Sequence, residues 1–187
     1  MTGHGNRGMT FESLIEYANR RYRHDGTAIV TKQHTKFIPI RNGTGSVVTC
    51  KVEEKATVDY MGRIGDRPLA FEAKHSADDR IALNRVEPHQ FDFLLDWTAQ
   101  PEAIGFVLVS FKFAEFYVIP FHAWMLAANA NEAKKQGRPL AAITYAGFRP
   151  TGKASIRSDE LPGAWGVPSG GAAALDYVTV IKKQWRI

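Results

Sequence analysis

Residues 56–76 read ATVDYMGRIGDRPLAFEAKHS. Two β-prone runs, about 57–64 and 69–74, flank the turn Gly65-Asp66-Arg67-Pro68, which is the pattern of a hairpin. Alternation along the second run puts Glu72 and Lys74 on one face and Leu69, Phe71 and Ala73 on the other. Asp59 stands 13 positions before Glu72, a spacing at which an antiparallel turn brings the two carboxylates together. Converging carboxylates repel unless a cation lies between them, and hard oxygen donors suit Mg²⁺ or Mn²⁺. The Lys74 ammonium cannot ligate such an ion while protonated. It can orient a water or offset charge on phosphorus.

The surrounding chain sets the scale for this hairpin. Its 187 residues, 44% hydrophobic, predict one α/β domain spanning 1–187. Cys50 is the only cysteine, so no internal disulfide forms, which fits a reducing compartment. No stretch has the apolar length of a signal peptide or a membrane span, so the expected location is the cytoplasm, with no membrane partner. The net charge of +5 hints at a polyanionic partner. Five basic residues lie between Arg20 and Lys36 against one acid, Asp25, and Lys134 to Arg157 carries six basic residues and no acid. Such runs are most often solvated faces.

Phe11, Leu14, Ile15, Ala18 and Tyr22 recur at helical spacing, with Thr10 placed as N-cap and Gly26 as stop. A strand is predicted at 27–31, and a polar, Gly-containing hairpin over about 33–56 with β-prone patches at 37–40 and 46–52. Pro88 opens a helix that Phe91, Leu94 and Leu95 continue to about Thr98. Residues 105–111 and 115–121 read as an antiparallel pair at the centre or far side of the sheet, followed by a helix-like AWMLAANANEAKK and a strand at 142–148. No internal repeat or linker divides the chain.

Asp59, Glu72, Ala73 and Lys74 together resemble the PD-(D/E)XK nuclease signature. Taken alone, these common residues at loose spacing slightly favour an ordinary exposed hairpin with Glu-Ala-Lys on an edge strand. The rest of the chain shifts that balance. GNRGMTFESLIEYANRRYRHDGTAIVTKQHT at 5–35 resembles the N-terminal region of RecU-type Holliday junction resolvases, with its Arg-Gly-Met, helix glutamate and Asn-x-x-Tyr. The opening hairpin is similar to that family's threonine-aspartate-tyrosine and phenylalanine-glutamate-alanine-lysine strands, and His89-Gln90 to its His-Gln pair. KASIRSDEL, GVPSG and LDYVTVIKK resemble the C-terminal run up to an Asp-Tyr pair. The resemblance covers nearly the whole chain in order, apart from about 123–150, an insertion or diverged connection.

The resemblance implies a restriction-endonuclease-like fold, a mixed central sheet flanked by helices with a protruding stalk hairpin. It implies Asp59 and Glu72 as metal ligands, the Ala73 carbonyl as a third contact, and Lys74 as the catalytic lysine. Glu12 corresponds to the helix glutamate that supports such sites, although a first-turn glutamate is also favoured for its charge alone. Gln90 would contact the attacking water or a phosphate, or serve only as a first-turn polar residue. Thr57 and His89 are candidates for phosphate contacts, His89 equally for packing, since no second His stands at a ligand spacing. Arg20, Arg23, Lys32, Lys36 and Arg41 are the further DNA-binding candidates, with Lys36 and Arg41 on the stalk.

The implied function is a Mg²⁺-dependent endodeoxyribonuclease, with Mn²⁺ as substitute, that resolves four-way DNA junctions by paired nicks in recombination and repair. It would act as a homodimer, with a recombinase as a further partner, in a bacterial or phage-encoded setting. The family pattern departs at Ala56, Val58, Met61 and His75, which bear on junction selectivity and cleavage-site preference. Two alternatives stand beside this reading, another PD-(D/E)XK nuclease of restriction or repair type and a non-catalytic junction-binding modulator.

Overall fold

A computed structural model describes residues 10–40, 49–54, 56–170 and 174–187. Helix α1 (Phe11–His24) opens with Thr10, whose hydroxyl accepts from the Ser13 amide, and buries Phe11, Ile15, Ala18 and Tyr22 as their spacing predicts. Strand β1 (Ile29–Lys32) follows, then β2 (Lys36–Ile40) and β3 (Thr49–Glu54), β4 (Tyr60–Ile64) and β5 (Arg67–Ser76). The chain continues through β6 (Arg80–Ala82), α2 (Pro88–Thr98), β7 (Ile104–Phe111), β8 (Glu115–Pro120), α3 (Phe121–Lys135), β9 (Ser155–Arg157) and α4 (Tyr177–Trp185).

Five strands form the main sheet in the order β1-β4-β5-β7-β8, with β5 and β7 parallel and the other pairs antiparallel. Helices α1 and α4 cover one face through Ile15, Tyr22, Tyr177 and Ile181, packed on Tyr60, Phe71 and Phe106. Helices α2 and α3 cover the other through Leu94, Phe121 and Trp124, packed on Ala70, Val107 and Val109. The result is a three-layer α/β/α arrangement around a mixed sheet. The second hairpin stands apart, because β2 and β3 pair only with each other among the described residues.

Strand β5 is central, which removes the edge-strand reading of Glu-Ala-Lys. Leu69 to Glu72 are buried in succession, because both faces of the strand are covered. One glycine shapes its surroundings. Any Cβ at Gly62 would collide with the Ile29 carbonyl, so β1 and β4 approach this closely only with glycine there.

Two expectations need correction. The strand drawn from 57 begins at Tyr60, and Thr57, Val58 and Asp59 form a bend that frees the Asp59 amide from the ladder. Residues 142–148 form no strand; Ala146 and Gly147, with φ of 46° and 87°, turn the chain back so that Tyr145 and Phe148 make an isolated bridge. The helix expected from Pro88 to about Thr98 is present as α2, with Leu94 buried and Leu95 exposed. The helix expected after Phe121 is present as α3.

The chain's two ends close on each other through polar contacts. The Tyr22 hydroxyl donates to the Leu175 carbonyl at 2.9 Å and lies 3.2 Å from Asp176 Oδ1, while the buried Tyr177 hydroxyl donates to Asn19 Oδ1. Asn19 and Tyr22 sit three apart on α1, and Asp176 and Tyr177 begin α4. These four polar residues therefore lock helix to helix, as buried polar groups with partners do.

Candidate active site

Register places the site. Tyr60 pairs with Phe71 across β4 and β5, so the residue before one strand lies beside the residue after its partner, Asp59 beside Glu72. The Asp59 amide donates to Glu72 Oε2 at 3.1 Å, and Asp59 Oδ2 accepts from the Ala73 amide at 2.9 Å. Lys74 Nζ donates to Glu72 Oε1 at 2.8 Å. Asp59, Glu72, Ala73 and Lys74 are thus brought together, with Ala73 joining by its backbone.

Glu72 has 0% exposure. Burial, followed by the neighbouring Asp59 carboxylate, pushes its carboxyl up to about 8, against the pull of Lys74 in the other direction. A buried carboxylate beside a second one is stable in charged form only with more positive charge than one ammonium supplies. No group of three or more His, Cys, Asp or Glu side chains among the described residues could hold a metal ion. The two carboxylates still fit Mg²⁺, which keeps several waters and binds through one or two protein carboxylates together with substrate phosphate oxygens.

Gln90 is the residue whose placement adds most. It occupies the third position of α2, where its Oε1 accepts from the Glu87 amide at 2.9 Å and so caps the helix. The same side chain donates from Nε2 to Glu72 Oε1 and lies 3.4 Å from Lys74 Nζ through Oε1. It is buried, and its amide is occupied on both ends. His89 faces the other way, with Nδ1 3.5 Å from the Glu87 carboxylate.

Glu12 lies at the β1 side of the site, where Lys32 Nζ donates to its Oε2 at 2.6 Å and lies 3.9 Å from Glu16. The bond to Glu12 holds the Lys32 ammonium above its ordinary pKa, with Glu16 and Asp59 adding to the effect. The Gln33 amide donates to the Asp59 carbonyl at 2.8 Å, tying this edge to the bend. Tyr60, next to Asp59, has a buried hydroxyl without a partner, and burial together with Glu12, Glu16 and Asp59 raises its pKa. Sequence reading overlooked Glu16 and Tyr60; the position of Tyr60 directly after Asp59 was the available signal.

The basic candidates divide. Arg20, Arg23, Lys32 and His34 line a groove of about 420 Å³ on the α1–β1 side. Arg20 also lies over the Tyr17 ring at 5.9 Å, whereas Arg21 is tied to Asp25 at 2.8 Å. Thr57 is exposed in the bend before Asp59. Lys36 begins β2, and Arg41 lies outside the described residues. Farther along, Arg157 is paired with Asp79 and Asp159 and Lys153 with Glu160, so a run free of acids in sequence is not free of them in space.

The family model described as Recombination protein U matches residues 6–183. A protein of Streptococcus pneumoniae (strain Taiwan19F-14) named Holliday junction resolvase RecU is 29% identical over 150 residues, 76% of this chain and 75% of that one. The protein of the same name from strain CGSP14 is 31% identical over the same shares. A solved structure of Archaeoglobus fulgidus Hjc, a Holliday junction resolvase from an archaeal hyperthermophile, aligns over 58% of this chain and 78% of that one with a TM-score of 0.36 and 11% identity.

Proposed function

Because the chain belongs to the Recombination protein U family, we propose that it is an endonuclease that resolves four-way DNA junctions by paired, symmetric nicks dependent on Mg²⁺. The observation that carries this reading is Glu72, a carboxylate buried in the central strand, touching Asp59 and bonded by Lys74 and Gln90. Such a cluster is costly for a fold and gains its use from catalysis. A buried carboxylate, a second carboxylate beside it and an ammonium aimed at one place match phosphodiester hydrolysis.

Asp59 and Glu72, with the Ala73 carbonyl, would hold the ion, and Mn²⁺ would substitute for it. When bound, the ion supplies a water acidic enough to attack phosphorus and positive charge beside the phosphate oxygens. Lys74 offsets charge developing on the phosphate, and its contacts with Glu72 and Gln90 aim it before substrate arrives. Glu12 completes the site from α1, with Lys32 as its counter-ion. Gln90 acts as a positioning residue that holds Glu72 and Lys74 in register.

Two cuts related by symmetry require two sites, so the working unit is a homodimer. The hairpin of β2 and β3 is the stalk of a single nuclease domain, entering the junction centre with Lys36 and Arg41. Thr57, His89, Arg20, Arg23 and Lys32 contact phosphates, which makes binding strongly dependent on salt. No helix among the described residues is long and apolar enough to cross a membrane, and the substrate puts the place of action in the cytoplasm of a bacterial cell. A recombinase acting on the same junction is the expected protein partner.

The test is cleavage of a labelled four-way junction beside linear duplex of equal sequence, with Mg²⁺, Mn²⁺ or chelator. Symmetric, metal-dependent nicks confined to the junction support the proposal. Equal cutting of both substrates would make the protein a nuclease of another type. Tight junction binding with no cutting would make it a modulator.

A further inference from the structure

Strand β5 runs on past its antiparallel neighbour. Tyr60, the first residue of β4, pairs with Phe71, so residues 72–76 of β5 have no strand on that side among the described residues. Within a strand the N–H and C=O of one residue point to the same edge, and successive residues point to opposite edges. The Ala73 amide donates to the Asp59 carboxylate at 2.9 Å, which puts the odd-numbered residues on the open edge. The Ser76 carbonyl accepts from the Lys112 amide, just beyond β7, at 2.8 Å, which puts the even-numbered residues on the paired edge. The His75 carbonyl therefore lies on the same open edge as the Ala73 carbonyl, about 7 Å farther along.

Arg85 occupies that edge. Its Nη2 donates to the His75 carbonyl at 3.4 Å. Arg85 closes the short 3-10 turn Leu83–Arg85 ahead of α2, and the next residue, Val86, is buried in the core layer that holds Ala70. Ala70, Glu72 and Lys74 alternate onto one face of β5, so Arg85 reaches the edge from the side of the carboxylate and the ammonium. A guanidinium has five N–H donors, and the long bond to His75 employs one of them. Arg85 is exposed and forms no ion pair among the described residues. Arg80, Ser76 and Ser155 line with it a groove of about 330 Å³, in which the acid is Asp78.

We propose that Arg85 grips the phosphate next to the scissile one, where the bound strand leaves the site towards the Arg80 groove. This rests on the nuclease reading above. With the scissile phosphate at Asp59 and Glu72, a step of about 7 Å along the open edge reaches Arg85, a step comparable to that between successive phosphates of one strand. The planar fork of a guanidinium takes two phosphate oxygens at once, so it fixes the position of the backbone as well as attracting it. Arg85 thereby sets which phosphodiester lies at the two carboxylates. Lys74, already bonded to Glu72, acts on the phosphate under attack and does not fill that role.

The experiment first maps the cut in a four-way junction with Mg²⁺, then measures affinity, with chelator present, for junctions carrying one uncharged methylphosphonate at each phosphate around that cut. Wild-type protein should lose about tenfold in affinity when the phosphate adjoining the cut is neutralised. Arg85→Gln keeps an N–H for the His75 carbonyl and lacks the charge. It should bind the unmodified junction about tenfold more weakly, ignore that one methylphosphonate, and respond to the others as wild type does. Its slope of log affinity against log salt should be shallower by about one. Arg85→Lys should recover most of the affinity while cutting at less sharply defined positions. Because Arg85 is exposed, both variants should melt with the wild type. Equal sensitivity of wild type and Arg85→Gln to every methylphosphonate would overturn the grip and leave the nuclease reading intact. Wild-type protein that cuts no junction would overturn the nuclease reading, and the grip with it.

Discussion

The Asp59 amide donates to the Glu72 carboxylate at 3.1 Å, while the Asp59 carboxylate accepts from the amide that follows Glu72. The two acids are therefore locked by backbone as well as brought close by side chain. Because the backbone holds them, replacing either carboxylate by its amide should leave the geometry in place. Asp59→Asn is expected to bind a four-way junction within a few-fold of wild type and to cut it at least about a hundredfold more slowly. A variant that still cuts at the wild-type rate would remove Asp59 from the metal site.

Glu72 gives a dependence on pH with a definite sign. Its carboxyl titrates near 8 in the folded chain against 4.5 as the ordinary value, so the folded state keeps a proton that the unfolded state releases. Its contribution to stability is therefore fully present below about 4.5 and lost as pH rises towards 8. Glu72→Gln should flatten this fall, melting above wild type by a few degrees at pH 8 without metal and by less at pH 5. Mg²⁺ should raise the melting temperature of wild type at pH 8 and not that of the variant. Parallel pH profiles for the two proteins would count against the buried charge.

Gln90 joins a helix cap to the active site, and its removal should be felt in both. Gln90→Ala is expected to cost about 1–2 kcal/mol in stability through the lost cap and the unpaired Glu72 oxygen. The cleavage rate should fall about tenfold or more at saturating metal, with little change in junction affinity. Gln90→Glu, which retains an oxygen for the Glu87 amide but places a third carboxylate at the site, should restore the cap and not the rate. A variant that loses stability alone would confine Gln90 to capping.

The pairing of Glu12 with Lys32 is partly exposed, so it contributes less than about 1 kcal/mol to stability. Glu12→Gln should leave the melting temperature nearly unchanged and should slow cleavage. Freeing Lys32 should also strengthen DNA binding at low salt, an effect that disappears as salt is raised. Unchanged cleavage would place Glu12 outside the catalytic cluster.

Asn19 and Tyr177 tie the first helix to the last, far from any proton in the reaction. Asn19→Ala leaves a buried hydroxyl without its acceptor and should cost about 1–3 kcal/mol. Cleavage below the new melting transition should remain at the wild-type rate. A large loss of rate in a folded Asn19→Ala would give this link a role beyond stability.

Much of this was legible in the order of residues. The 3.6-residue spacing of Phe11, Ile15, Ala18 and Tyr22 marked α1, and Thr10 marked its start, because both are local properties of a short stretch of chain. Alternation on β5 aimed Glu72 and Lys74 to one side, and the turn at Gly65 set Asp59 near them. The failed strand at 142–148 has the same origin in local physics. Its composition is β-prone, but Ala146 and Gly147 turn the chain and no neighbour offers a ladder.

The sequence by itself determined most of the elements, the hairpin that carries the acids, and the family. Periodicity, caps and motif order are written along the chain and need no distant partner. Only the tertiary structure decided that β5 is central and Glu72 buried, that Gln90 touches both Glu72 and Lys74, and that Arg157 and Lys153 are paired with acids while Arg20 and Arg23 line an open groove. Those facts depend on which surfaces meet across the sheet. Burial and charge pairing arise from contacts between residues far apart in the chain, and no local spacing encodes them.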